Sequence, residues 1–284
     1  MAATLSDILE SHRTGRPVVM GILNVTPDSF SDSGQFFEPA KAVQHTRQMA
    51  AEGADILDVG AESTRPGSER VSPEAQIRRL QRVLPEVVRL GPIVSIDTSS
   101  SIVAAFALDA GAAMINDVSA GRDDPAILGL AAKRGCALVL MHMLGEPRTM
   151  QQDPQYGDVV AEVKRFLAER LAAAEQAGVE RRMCIIDPGI GFGKKLEHNL
   201  ALIAGIGALA RLGVPVMLGP SRKRFIGALT GQDQPAQRLP GSLAAALEGY
   251  ARGATIFRVH DVAPMVQALA VARAVRKMGK STRG

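Results

Sequence analysis

The chain has 284 residues, 46% of them hydrophobic and 22% charged. That is an ordinary globular balance, at a length an α/β barrel often fills as one domain. No run of about 18 apolar residues occurs, which excludes a membrane-spanning helix. The net charge of +4 is local. Arg276, Lys277, Lys280 and Arg283 sit in the last nine residues, and without them 29 basic residues face 29 acidic ones. A basic end of this kind points to solvent, and no nucleic-acid partner is expected. The first residues lack a signal-peptide pattern, and Cys136 and Cys184 lie within apolar runs. Both features point to buried thiols and a cytoplasmic protein.

In chain order, short apolar runs predict eight strands: Val18–Leu23, Ala54–Val59, Ile93–Ile96, Ala113–Ile115, Cys136–Met141, Met183–Ile186, Val214–Leu218 and Thr255–Val259. Between them lie helical patterns such as EPAKAVQHTRQMAAEGA and DVVAEVKRFLAERLAAAEQAG, several closed by Gly. Strands alternating with helices pair in parallel. Eight such units predict a single-domain (β/α)8 barrel, with an open doubly wound sheet as the alternative. The expected boundaries are an N-terminal extension over 1–16, the barrel over 17–276 and a basic tail over 277–284. One segment resists assignment. NVTPDSFSDSG, Asn24–Gly34, follows the first strand with neither helical nor strand periodicity, and loops that long are usually functional or disordered.

Barrel chemistry sits where the strands end. The residues there are Asn24, then Asp58 with Glu62, Ser63, Thr64 and Arg65, then Asp97, Asn116 with Asp117, His142, Asp187, Ser221 with Arg222 and Lys223, and Arg258 with His260. Two sets emerge. Asp97, Asn116, Asp187 and Lys223 offer acceptors, an amide and a cation, which suits a flat polar heterocycle with an amidine-like edge. Arg65, Arg258, His260, Thr64 and Asn24 form an anion site, most simply for phosphate. Such a site often carries Mg²⁺, with an oxygen ligand such as Asn24.

Blander roles compete for the other positions. Asp58 and Glu62 could brace the second loop, Asp117 could cap a helix, and His142 reads as a satisfied strand-end histidine. GIGFGK, Gly189–Lys194, fits neither the dinucleotide nor the Walker spacing and reads as a tight turn that lets backbone approach a ligand. Met141 and Phe192 are core residues or walls against a flat ring. The GKST of the C-terminal end lacks the earlier glycine of a phosphate loop, since Ala274 stands there.

MGILNVTPDSFSD, GAESTRPG, SIDTS, INDVSA, DPGIGFGK, GPSRKRF, RLPGSLA and RVHDV, spread over residues 20–262, resemble in order the motifs of the dihydropteroate synthase family. The resemblance implies a (β/α)8 barrel and a cytoplasmic homodimer. It implies condensation of a dihydropterin pyrophosphate with p-aminobenzoate, releasing pyrophosphate, with Mg²⁺ as cofactor and sulfonamides as competitors. By the matched motifs, Asp97, Asn116, Met141, Asp187 and Lys223 would hold the pterin. Asn24, Thr64, Arg65, Arg258 and His260 would hold pyrophosphate, with Mg²⁺ at Asn24. Thr64, Pro66, Phe192, Ser221 and Phe30 would surround p-aminobenzoate, and Asp97, Lys223, Arg258 and His260 would carry the chemistry. The Asn24–Gly34 segment would then be a lid over bound substrates. Ala61 and Arg224 depart from the family's frequent glycine and serine. The rival readings are a corrinoid-dependent methyltransferase, a non-catalytic pterin-binding paralogue and a sugar-phosphate aldolase.

Overall fold

The structure, a computed structural model, describes residues 3–26, 39–63, 68, 70–146 and 148–281. Eight strands follow one another with helices between: β1 Val18–Asn24, β2 Ile56–Gly60, β3 Ile93–Asp97, β4 Met114–Asp117, β5 Ala137–Met141, β6 Cys184–Asp187, β7 Met217–Leu218 and β8 Ile256–Val259. All ladders are parallel, and β1 pairs with both β2 and β8. The ring closes between β6 and β7, where Ile186 bridges Val216 and its N–H donates to the Pro215 carbonyl at 3.0 Å. The predicted closed (β/α)8 barrel is therefore correct, and the open sheet is not. The predicted strand 214–218 shrinks to Met217–Leu218 because Pro215 has no N–H to give a ladder.

The strand pattern splits the interior into two layers. Val18, Met20, Ile56, Met114, Ala137, Val139, Ile185, Met217 and Ile256 pack together inside the barrel. The residues alternating with them, such as Val19, Leu57, Ile96, Ile115, Leu138, Ile186 and Phe257, pack outward with helix residues such as Met49, Leu84, Ala107, Leu171 and Ala246. Strands apolar on both faces are what a sheet covered by helices requires. Close packing explains Gly21 on β1, where a Cβ would lie 2.8 Å from Met49 Sδ.

The two short helices Leu5–Leu9 and Ser11–Thr14 pack on the barrel, with Ala3, Ile8 and Leu9 joining the inner apolar layer. A Thr4–Asp7 capping box fixes the start of the first helix. The last helix, Val262–Ser281, runs along the outside, with the Arg276 guanidinium 4.4 Å from the Tyr250 ring. Among the described residues no helix is long and apolar enough to cross a membrane.

Candidate active site

Side chains on a strand alternate between faces. Above the inner apolar layer, the inward-facing strand positions carry Asp58 on β2, Asp97 on β3, Asn116 on β4, Met141 on β5, Asp187 on β6 and Arg258 on β8. The site is thus the polar continuation of the barrel core, at the strands' C-terminal ends.

Four of these residues bond across the barrel. Arg258 donates through Nε to Asp58 Oδ2 at 2.7 Å and through Nη2 to Asp97 Oδ2 at 2.6 Å. Asn116 Nδ2 donates to the same Asp58 oxygen at 3.0 Å. Arg258, placed by sequence with the anion set, is therefore joined directly to the heterocycle set. One guanidinium shared by two buried carboxylates leaves an unmatched negative charge. Burial raises the Asp97 carboxyl, Arg258 opposes, and Asp58 adds like-charge repulsion, so its pKa is pushed up to about 7. For Arg258, burial works against the cation, but Asp58 and Asp97 outweigh it and raise its pKa. Asp97 Oδ1 is buried without a hydrogen-bond partner among the described residues. Such an atom is costly unless a ligand supplies a donor.

A second cluster forms around β6. Lys223 Nζ lies 4.2 Å from the Phe192 ring centroid, a cation–π contact. Burial, with repulsion from Arg258, lowers its pKa to about 8 against the pull of Asp187 and Asp97. Burial also raises the Asp187 carboxyl, which accepts from the Gly189 N–H at 2.6 Å. Val118, Met141, Met143 and Met150 make an apolar wall with Phe192.

The GIGFGK turn has left-handed glycines at 189, 191 and 193. A Cβ at Gly189 would meet the His142 carbonyl oxygen at 1.9 Å, and one at Gly193 the Leu144 oxygen at 2.7 Å. These two glycines admit the backbone after β5, and a Cβ at Gly189 would also lie 3.3 Å from Met141 Cγ; at Gly191 a Cβ would lie 3.1 Å from Lys223 Cδ. Lys194 closes the turn. Its buried ammonium donates to His142 Nδ1 at 3.0 Å, His142 O at 3.3 Å and Phe192 O at 2.9 Å. Burial lowers its pKa to about 7, with Asp187 opposing. His142 is held neutral, its pKa lowered to about 3 by burial and by Lys194 and Arg122. It also packs edge-on against Phe166, so it is the satisfied strand-end histidine. Asp117 is no helix cap: it accepts from the N–H groups of Ser119 and Gly121 and so shapes the loop after β4.

Across the mouth, Ser221 Oγ lies 3.0 Å from His260 Nδ1 and accepts from the His260 N–H at 3.2 Å. Next to them Arg222, at φ 56°, holds Asp261 through two hydrogen bonds, with Nε to Oδ2 at 2.9 Å. Two successive residue pairs thereby lock the loops after β7 and β8 together. Burial, Arg222 and Arg258 lower the His260 pKa to about 3, so the ring is neutral. Asn24 is half-buried at the end of β1. Phe30, Thr64, Arg65 and Pro66, with the rest of the predicted lid after Thr26, lie outside the described residues. Sequence reasoning underrated Asp58 and passed over Lys194. The signal for Asp58 was a carboxylate inside the apolar run ILDVG.

Carboxylates, an amide and cations converging at the C-terminal mouth of a closed parallel barrel define a (β/α)8-barrel enzyme with a small-molecule site. The sequence model of the family described as pterin binding enzyme matches residues 20–260. The chain is 48% identical to the dihydropteroate synthase of Neisseria meningitidis serogroup B over 90% of its own length and 92% of the relative's. Two solved structures of the Xanthomonas albilineans dihydropteroate synthase superpose on it. One, with 4-aminobenzoic acid, is 50% identical with a TM-score of 0.86, covering 92% of this chain and 93% of that one. The other, with 7,8-dihydropteroate, is 48% identical with a TM-score of 0.83, covering 92% and 94%. The chain belongs to the pterin-binding enzyme family and, within it, to the dihydropteroate synthases, transferases of a pterin methylene group.

Proposed function

We propose that this enzyme joins 6-hydroxymethyl-7,8-dihydropterin pyrophosphate to p-aminobenzoate, yielding 7,8-dihydropteroate and pyrophosphate. The observation that carries the site assignment is the buried Asp97–Arg258–Asp58–Asn116 network with an unpartnered Asp97 oxygen. Asp97, Asn116 and Asp187 meet the donor and acceptor edge of the pterin, Lys223 meets its carbonyl or ring nitrogen, and Met141 lies against its face. Arg258 and His260 meet the pyrophosphate, joined by Asn24, Thr64 and Arg65. Phe192, Ser221, Thr64, Pro66 and Phe30 surround p-aminobenzoate.

The chemistry follows from charge. Breaking the methylene C–O bond leaves its electron pair on pyrophosphate and a cation on the pterin. Arg258 and the neutral His260 ring stabilise the departing oxygens by hydrogen bonds. The carboxylates of Asp97 and Asp187 stabilise the pterin cation. The neutral aniline nitrogen then forms the new C–N bond and sheds a proton, so no activated protein nucleophile is required.

Mg²⁺ bound with the pyrophosphate supplies further neutralisation of the leaving charge. The Asn24 side-chain oxygen is a suitable hard donor for it. Among the described residues no group of three or more His, Cys, Asp or Glu forms a metal cage, and an ion shared with substrate phosphates needs only one or two protein oxygens. The unit proposed is one barrel domain over 17–276, flanked by an extension over 1–16 and a basic tail over 277–284, acting as a cytoplasmic homodimer.

The test is pyrophosphate release from the dihydropterin pyrophosphate with Mg²⁺, with and without p-aminobenzoate. The expected result is release that requires p-aminobenzoate and yields dihydropteroate. Tight pterin binding without release would favour a non-catalytic paralogue instead.

A further inference from the structure

Asp58 is fully buried on β2, yet one of its oxygens accepts two of the bonds that organise the site. Arg258 Nε and Asn116 Nδ2 both donate to Oδ2. A buried carboxylate is disfavoured where a packed apolar residue would serve, and its strand neighbours Leu57 and Val59 are apolar and fully buried. Its contacts give it two tasks. Holding Nε fixes the plane of the Arg258 guanidinium, because the fork is rigid. Accepting from Nδ2 fixes the Asn116 amide, so that its Oδ1 is the end left for another partner.

Resting on the synthase reading above, we propose that Asp58 is a positioning residue for this reaction: it sets Arg258 for the pyrophosphate and orients the Asn116 amide for the pterin edge, acting through both. The pair of roles couples the two halves of one substrate through a single carboxylate. Its negative charge is also part of the field at Asp97, which is faced by Arg258 from β8, Asp58 from β2, Asp117 from the end of β4, Glu62 from the loop after β2 and Lys223 from the loop after β7.

The test uses Asp58→Asn, which keeps the shape and one acceptor but removes the charge, beside Asp58→Ala. Calorimetry with Mg²⁺ measures binding of inorganic pyrophosphate and of a pterin without phosphate, and steady-state kinetics measure both substrates. In Asp58→Asn, pyrophosphate affinity should fall about 10-fold and kcat/KM for the pterin pyrophosphate about 10- to 100-fold, the usual scale for removing the partner that orients a site residue. The KM for p-aminobenzoate should stay within about 2-fold. The acid limb of pterin binding should also move to lower pH, because Asp97 loses a like-charged neighbour. Wild-type affinities and an unmoved acid limb in Asp58→Asn would overturn the positioning role, as would equal loss of every ligand together with stability. A wild-type protein that binds neither probe would instead bring down the synthase reading and this proposal with it.

Discussion

Lys223 and Asp97 are opposite charges displaced toward each other on the pH scale. Burial, helped by Arg258, lowers the lysine to about 8, and burial with Asp58 raises the carboxyl to about 7. If the pterin needs a charged ammonium and an ionised carboxylate, its affinity must fall above about 8, as Lys223 loses its proton. It must also fall below about 7, as Asp97 gains one. Each limb steepens toward 10-fold per pH unit. Calorimetry from pH 6 to 9 with a pterin that does not itself titrate there should give that bell. Lys223→Met should bind about 10- to 100-fold more weakly and lose the alkaline limb alone; a surviving alkaline limb in that variant would exclude Lys223 as its source. Both residues were legible in the sequence, because polar residues at the end of an apolar strand, as Asp97 is, or in the short loop just past it, as Lys223 is, point to the barrel mouth. The engagement of Arg258 with both Asp58 and Asp97 was not. Strand registry orders residues along the wall but does not say which side chains meet across the barrel.

At the scale of elements, the turn after β6 shows why a motif can be found and its purpose misjudged. GIGFGK read as a turn opening backbone to a ligand, yet two of its glycines are required by the His142 and Leu144 carbonyls of the neighbouring loop. Contacts between two loops far apart in sequence leave no local pattern. Lys194, which ties these loops, has a testable consequence. Its native pKa of about 7 lies below the ~10.4 of an unfolded lysine, so between those values the unfolded chain binds more protons. Stability from this residue therefore rises with pH across that window, by at most about 1.4 kcal/mol per unit. Lys194→Met removes the amine that donates to the carbonyls of His142 and Phe192 and leaves both unpaired, a loss of about 1–3 kcal/mol for each buried group left without a partner. Urea unfolding at pH 6.5, 8 and 9.5 should show the gap between wild type and Lys194→Met widening with pH. A constant gap would mean that Lys194 stays protonated in the folded state throughout.

For the whole molecule, the eight-unit alternation was enough to predict the barrel, since right-handed parallel units of this number close on themselves. Assembly leaves a weaker trace, and it lies on the last helix. Val262, Met265 and Leu269 are buried against the barrel, while Val271, Val275 and Met278 are 66%, 67% and 68% exposed. Spacings of four and three residues put those three side chains on one helical stripe. An apolar stripe of this kind on a charged surface is a common mark of an interface, and it supports the proposed homodimer through pairing of two such helices. A stable contact would bury roughly 800 Å² on each partner, so the stripe would form its centre and the flanking polar residues its rim. Arg273, Arg276 and Lys277 lie close by in sequence, so an introduced glutamate could pair with them and mask the effect. Arginine adds like charge instead. The double variant Val271→Arg, Val275→Arg should therefore sediment as a monomer at concentrations where the wild type is dimeric. Its barrel should remain folded, because neither side chain contributes to the core. Sedimentation of the variant at the dimer mass would put the interface on another face, and a monomeric wild type would remove the need for one.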